Sequence, residues 1–184
     1  MAAGRKPQEV VAWLNEFLQT MIPPVLQRDG MVIDFIGDSV LGGFGLPIAV
    51  AGAVRKDAIA AVHAALELGE VVAGLSRRMT AAGQPGTAVR IGVSTGPVVS
   101  GIVGGVGHSK YTVIGDSVNV AARLESVDLS ERGIVLTEGS FRLLVTEETW
   151  KLVADDCEGT CLGPIALKGQ PEPVIVHQVH RRKV

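Results

Sequence analysis

The sequence predicts an α+β fold, with helices packed on a mainly antiparallel sheet. Three observations lead there. Segments of helical period alternate with short apolar runs that double back on themselves. Gly-Asp, Thr-Gly-Pro and glycine-rich turns separate those runs. Hydrophobic residues make up 47% of 184 positions and charged residues 20%, which is ample for a core and excludes disorder by composition.

The elements follow in order. Pro7 suits a first helical position. Val10, Val11, Leu14, Phe17, Leu18 and Met21 recur at helical spacing, and Pro23-Pro24 predicts the stop. Met31 to Ile36 reads as a strand, Gly37-Asp38 as a turn and Val40 to Phe44 as the returning strand of a hairpin. Ala58 to Ala82 reads as a long helix ending before Gly83. Val89 to Ser94 and Val98 to Val103 read as strands around Thr95-Gly96-Pro97, Gly104 to Ser109 as a glycine-rich turn, and Tyr111 to Ile114 as a short strand. A helix runs from Gly115-Asp116-Ser117 to about Glu125, with Asp116 or Ser117 as its cap. Ile134 to Thr137 reads as a strand, a short helix begins near Glu138, and Val174 to Val179 closes the sheet. Without a repeat or a linker, residues 1–184 are expected to form one domain.

Composition excludes several classes of function. Lys plus Arg is 17 against 19 Asp plus Glu, a net charge of -2, so no broad basic surface awaits nucleic acid. Aromatic residues, at 4%, are too few for base-stacking platforms. Cys157 and Cys161 cannot form a disulfide scaffold and fit a reducing compartment as two incidental thiols. No run reaches the roughly 18 apolar residues of a membrane span. The richest, Ile48 to Val54, stops at Arg55-Lys56, and the first residues carry no signal-peptide core. A soluble cytoplasmic domain without membrane contact of its own is expected, whether alone or as part of a larger, membrane-anchored protein. Walker-type, dinucleotide-binding, zincin and nucleophile-elbow motifs do not occur. The four histidines lack metal-site spacing, and Arg181-Arg182-Lys183 reads as a frayed tail.

Two segments can carry chemistry. In Asp34-Phe35-Ile36-Gly37-Asp38-Ser39-Val40 an acid sits at a tight strand turn, where its carboxylate can hold a hard cation such as Mg²⁺. Gly-Asp is also an ordinary turn dipeptide. The second segment runs from Tyr111 to Glu125. Asn119 and Arg123 stand four residues apart on one helix face. An amide and a guanidinium one turn apart can hold a sugar oxygen and a phosphate together, or can simply be a solvated polar stripe.

Together these segments resemble the class III nucleotidyl cyclase catalytic domain, the family of adenylyl and guanylyl cyclases. The family's G-G-x-x-x-K-F-I-G-D-x-V hairpin is similar to Asp29 through Val40, followed by Phe44-Gly45. Its R-I-G-x-x-x-G-x-V-x-x-G-x-x-G run is similar to Arg90-Ile91-Gly92 through Gly96, Val98, Gly101 and Gly104. Its Y-x-x-x-G-D-x-V-N-x-A-x-R-L-E signature matches Tyr111 to Glu125. Its terminal L-K-G-x-x-x-P-V matches Leu167-Lys168-Gly169 with Pro173-Val174. The resemblance implies a ferredoxin-like domain that converts a purine nucleoside triphosphate, ATP or GTP, to its 3′,5′-cyclic nucleotide and pyrophosphate. It implies that Asp38 binds a metal, Mg²⁺ or Mn²⁺, that Asn119 positions the ribose and that Arg123 stabilises charge on the reacting phosphate. Lys168 would neutralise the triphosphate, and Asp34 and Thr112 would read the base. It also implies a head-to-tail homodimer, with metal carboxylates from one copy and base and ribose contacts from the other.

Two departures qualify the match. The family's first strand, F-x-D-I-x-G-F, carries the other metal aspartate and does not occur in these 184 residues; unpaired strand edges are expected in its place. Asp34 stands where adenylyl cyclases usually have Lys and guanylyl cyclases Glu. A carboxylate only accepts hydrogen bonds, which suits guanine's N–H donors better than adenine's N1. Thr112, by contrast, resembles many bacterial adenylyl enzymes. The code is mixed and points to relaxed or guanine-tolerant recognition that still admits ATP. The rival reading is a non-catalytic homology module that binds nucleotide or dimerises to relay a signal.

Overall fold

The computed structural model describes residues 7–183. Helix α1 (Pro7–Leu26) leads into the hairpin β1 (Met31–Ile36) and β2 (Ser39–Gly43), followed by the long helix α2 (Val54–Ala81). Strand β3 (Val89–Val93) precedes the ribbon β4 (Val99–Gly105) and β5 (His108–Ile114), and helix α3 (Asp116–Ser126) comes next. The chain ends with β6 (Phe141–Thr146), α4 (Glu147–Val153), β7 (Cys157–Ile165) and β8 (Val174–Arg182). The α+β class is as the sequence predicts.

The largest sheet has the order β3-β6-β8-β7, while β1-β2 and β4-β5 are separate two-stranded ribbons. Every pairing is antiparallel except β3 with β6. Both faces of the large sheet are covered. Leu143 and Val145 of β6 pack against Val62, Ala65 and Leu66 of α2 and Val153 of α4. Leu144, between them, points the other way, onto Val120 and Leu124 of α3. Phe17 and Met21 of α1 pack against Val72 and Leu75 of α2. Among the described residues β2 has only β1 as a neighbour and β3 only β6, so each leaves one edge unpaired, as expected without the first strand.

Several boundaries differ from the sequence expectation. Helix α1 does not stop at Pro23-Pro24; it runs on to Leu26. Pro24 and Val25 are buried there, and their burial offsets the lost backbone donors. Helix α2 begins four residues before the expected Ala58, without a side-chain cap. By length and composition α2 could cross a bilayer, contrary to the sequence expectation, but Val62, Val72 and Leu75 on it are core residues. Residues 104–105 and 108–109 are paired strand, not turn, and the reversal is confined to Val106-Gly107. Gly107 has φ +82°, which makes the tight reversal possible. Residues 134–137 are irregular, and the strand lies at 141–146. The second short helix starts at Glu147, and β7 has no counterpart among the elements the sequence predicts.

The expected frayed tail is also ordered. Arg181 pairs with Glu158 at 2.7 Å, Arg182 donates to the His63 carbonyl at 3.1 Å, and Lys183 Nζ donates to the Ala154 carbonyl at 2.7 Å. The two cysteines are free, with Cys157 buried and Cys161 exposed. His177 has a packing role: it stacks on Trp150 at 4.9 Å and its Nε2 lies 2.5 Å from Glu147 Oε2.

Candidate active site

Helix α3 is held against the sheet by its buried Val120 and Leu124. The approach is close. A Cβ on Gly92 of β3 would overlap the Ala121 carbonyl oxygen, so only glycine lets helix and strand meet there. The C-terminal end of α3 is gripped by buried Arg142, whose Nη2 donates to the Glu125 carbonyl at 2.9 Å and the Leu124 carbonyl at 3.4 Å. A guanidinium at a helix C-terminus also meets the negative end of its dipole. Burial, opposed in part by the neighbouring acids Glu125 and Asp128, lowers its pKa. The sequence motifs do not pick out Arg142, because its partners are backbone atoms seventeen or eighteen positions away.

The N-terminal end is fixed differently from the expectation. The cap residue is Gly115 and there is no side-chain cap. Asp116 instead accepts a hydrogen bond from Gln170 Nε2 at 2.8 Å, and Ser117 Oγ donates to the Pro97 carbonyl at 3.4 Å. The Asp116–Gln170 bond ties the 167–170 turn to α3. Leu167 is buried and anchors that turn, and Gly169 lies against Arg123: a Cβ there would stand 3.0 Å from Nη2. Asn119, Arg123 and the turn bearing Lys168 therefore share one region. Asn119 and Lys168 are exposed and Arg123 is half-buried.

A second group forms where β1 meets β5. The β1–β2 register shifts between Val32 and Asp34, a bulge that re-aims the following side chain. Asp34 Oδ2 lies 2.6 Å from Lys110 Nζ, and Oδ1 accepts the Phe35 backbone N–H at 3.0 Å. The Lys110 hydrogen bond holds the Asp34 carboxyl below the usual carboxylate range. Thr112 sits on β5 opposite Gly101 and is half-buried.

Asp38 is exposed in the two-residue turn of the hairpin, beside Gly37 at φ +64°. Among the described residues no three His, Cys, Asp or Glu side chains cluster as a metal site. Mg²⁺ is commonly bound by one or two carboxylates together with substrate phosphates. Asp38 is the right kind of donor for Mg²⁺ or Mn²⁺ but only one, so the described residues of one chain do not complete a metal site. An open hollow of about 560 Å³ lined by Glu67, Glu70, Phe141 and Arg182 involves none of the predicted residues.

The family model "Adenylate and Guanylate cyclase catalytic domain" matches residues 1–181, and the chain belongs to that family. Adenylate cyclase 1 of Rhizobium meliloti is 36% identical over 140 residues, covering 76% of this chain and 20% of that protein. The adenylate cyclase of Anabaena cylindrica is 28% identical over 184 residues, covering 97% of this chain and 34% of that protein. The chain thus spans between a fifth and about a third of these relatives. The adenylyl cyclase CyaB from P. aeruginosa superposes with a TM-score of 0.85 at 31% identity, covering 98% of this chain and 86% of that one. The guanylyl cyclase Cya2 superposes with a TM-score of 0.77 at 27% identity, covering 98% and 84%.

Proposed function

We propose that this chain is the catalytic module of a nucleotidyl cyclase, which converts ATP or GTP to the 3′,5′-cyclic nucleotide and pyrophosphate as a homodimer with shared sites. The observation that carries the proposal is the seating of the Arg123 guanidinium. It stands one helical turn from Asn119 and against Gly169, beside the lysine of the same turn.

In the reaction the ribose 3′ oxygen bonds to the α-phosphorus. The bond from that phosphorus to the bridging oxygen breaks, pyrophosphate leaves, and the hydroxyl proton passes to water. The Asn119 amide, which both donates and accepts, orients the ribose. The planar fork of Arg123 donates to the phosphate oxygens on which charge gathers, and its half-burial strengthens those bonds. The Lys168 ammonium screens the triphosphate. Asp34 and Thr112 face the base. Asp38 of the partner subunit, with the triphosphate oxygens, would hold Mg²⁺ or Mn²⁺, which when bound neutralises phosphate charge. A cytoplasmic location fits this chemistry, since nucleoside triphosphates are plentiful there.

The test is formation of cyclic nucleotide from ATP and from GTP with Mn²⁺. Arg123→Ala is expected to lower kcat by about 10²–10³-fold while leaving KM nearly unchanged, the mark of a group that acts on the transition state. Full activity in that variant would remove Arg123 from the mechanism. Nucleotide binding without any product would favour the non-catalytic module.

A further inference from the structure

Asp34 and Thr112 are base-reading positions in the proposed function, and a role for Lys110 beside them rests on that function. The structure brings this third group to the pair. Lys110 lies two positions before Thr112 on β5, so both side chains leave the strand on the same face. From there its ammonium reaches β1, with Nζ 2.6 Å from Asp34 Oδ2. The ion pair is partly open to solvent, with 54% of the Lys110 side chain and 27% of the Asp34 side chain exposed, so an incoming ligand can share both ends.

The pairing changes what Asp34 offers a base. A lone carboxylate presents acceptors only. Against adenine, whose N1 is itself an acceptor, it leaves lone pairs facing lone pairs. Guanine, with adjacent N1–H and N2–H donors, suits a free carboxylate whose two oxygens are both available. Here each oxygen already accepts one bond, Oδ1 from the Phe35 N–H and Oδ2 from Lys110, and keeps one further acceptor site. What the pair presents is an ammonium donor beside a carboxylate acceptor. That pattern complements adenine's N1 acceptor and 6-amino donor.

We infer that Lys110 determines base preference, donating to adenine N1 while Asp34 accepts from the 6-amino group, so that the site reads ATP. The charges the family usually expects at the Asp34 position are thereby redistributed over two strands: the cation comes from β5 and the carboxylate from β1.

The test compares wild type, Lys110→Met and Lys110→Arg. Two quantities are read for each: kcat/KM for ATP and GTP with Mn²⁺, and displacement of a fluorescent GTP analogue by ATP and by GTP without turnover. Lys110→Met is expected to lower the ATP-to-GTP ratio about tenfold or more in both measurements. Lys110→Arg, which keeps the donor, is expected to retain most of the wild-type ratio. An unchanged ratio in Lys110→Met, an equal loss for both nucleotides, or displacement by neither nucleotide would overturn the inference. The displacement arm separates this result from that of the parent reading. A chain that binds with the expected preference yet forms no cyclic product refutes the catalytic proposal and leaves the role of Lys110 standing.

Discussion

His63 shows how a single side chain can tie stability to pH. It sits half-buried on α2, and its Nε2 is enclosed without a hydrogen-bond partner. Burial, aided by the positive charges of Arg182 and Arg28 and opposed by Asp156, holds its pKa below the ordinary value near 6.5. On acidification the unfolded chain takes up this proton first. Stability is therefore intact above about 6.5, falls as the pH drops through that value, and levels off below the folded pKa. The thermal midpoint should decline between about pH 7.5 and 5.5. His63→Gln should flatten that decline, and an equal decline in the variant would assign it to other groups. Asp34 and Glu147 act with the same sign, at lower pH. Lys110 lowers the first and His177 the second, so their contributions are present at neutral pH and are lost only in stronger acid. At this scale the sequence was uneven. Asn119 and Arg123 were legible because their relation is local, four positions on one helix. Lys110 was not, because its partner lies 76 positions away and only the meeting of β1 and β5 joins them.

At the scale of elements, what positions the site is the seating of α3 on β3, and Gly92 decides it. Gly92→Ala would push a methyl group into the Ala121 carbonyl. Backbone cannot yield as a side-chain end can, so helix and strand must separate. The expected cost is about 1–3 kcal/mol, read as a lower urea midpoint with an unchanged slope. Activity should fall beyond the loss of folded protein, because Arg123 moves with the helix; a variant with wild-type midpoint and activity would show that the contact is not limiting. The glycine of the Arg-Ile-Gly run could be read from the sequence, but its reason could not. The elements that the sequence did not disclose have physical explanations. β6 is buried along most of its length because helices cover both faces, so Phe141-Arg142-Leu143-Leu144-Val145-Thr146 shows no alternation to read. In β7 two register shifts, at Glu158/Gly159 and Cys161/Gly163, break the period. The hairpin β1–β2 and the helix α3 were legible because their turns, Gly37-Asp38 and Gly115-Asp116, punctuate clear periodic runs.

For the molecule as a whole, the question is whether one copy can hold a complete site. Asn119, Arg123 and the Lys168 turn meet in one region, but Asp38 makes no side-chain hydrogen bond or ion pair among the described residues and belongs to a different ribbon. Meanwhile the β4–β5 ribbon carries apolar side chains into solvent, Val99 at 75% and Ile102 at 77% exposure, with Val103 and Val106 beside them. An apolar ribbon of this kind is costly to leave uncovered, and in the proposed dimer a second copy covers it. Shared sites then make a prediction that self-contained sites cannot. Asp38→Ala and Arg123→Ala should each be nearly inactive as homodimers. In an equal mixture that exchanges subunits, half of the dimers carry one lesion of each kind. Each of those has one site with both lesions and one site intact, because the intact Asp38 and the intact Arg123 face each other across the interface. Activity should return to about a quarter of wild type, and Ile102→Glu in both copies should abolish the rescue by weakening the pairing. If the site were built within one copy, every copy in the mixture would still carry a lesion, and mixing would restore nothing.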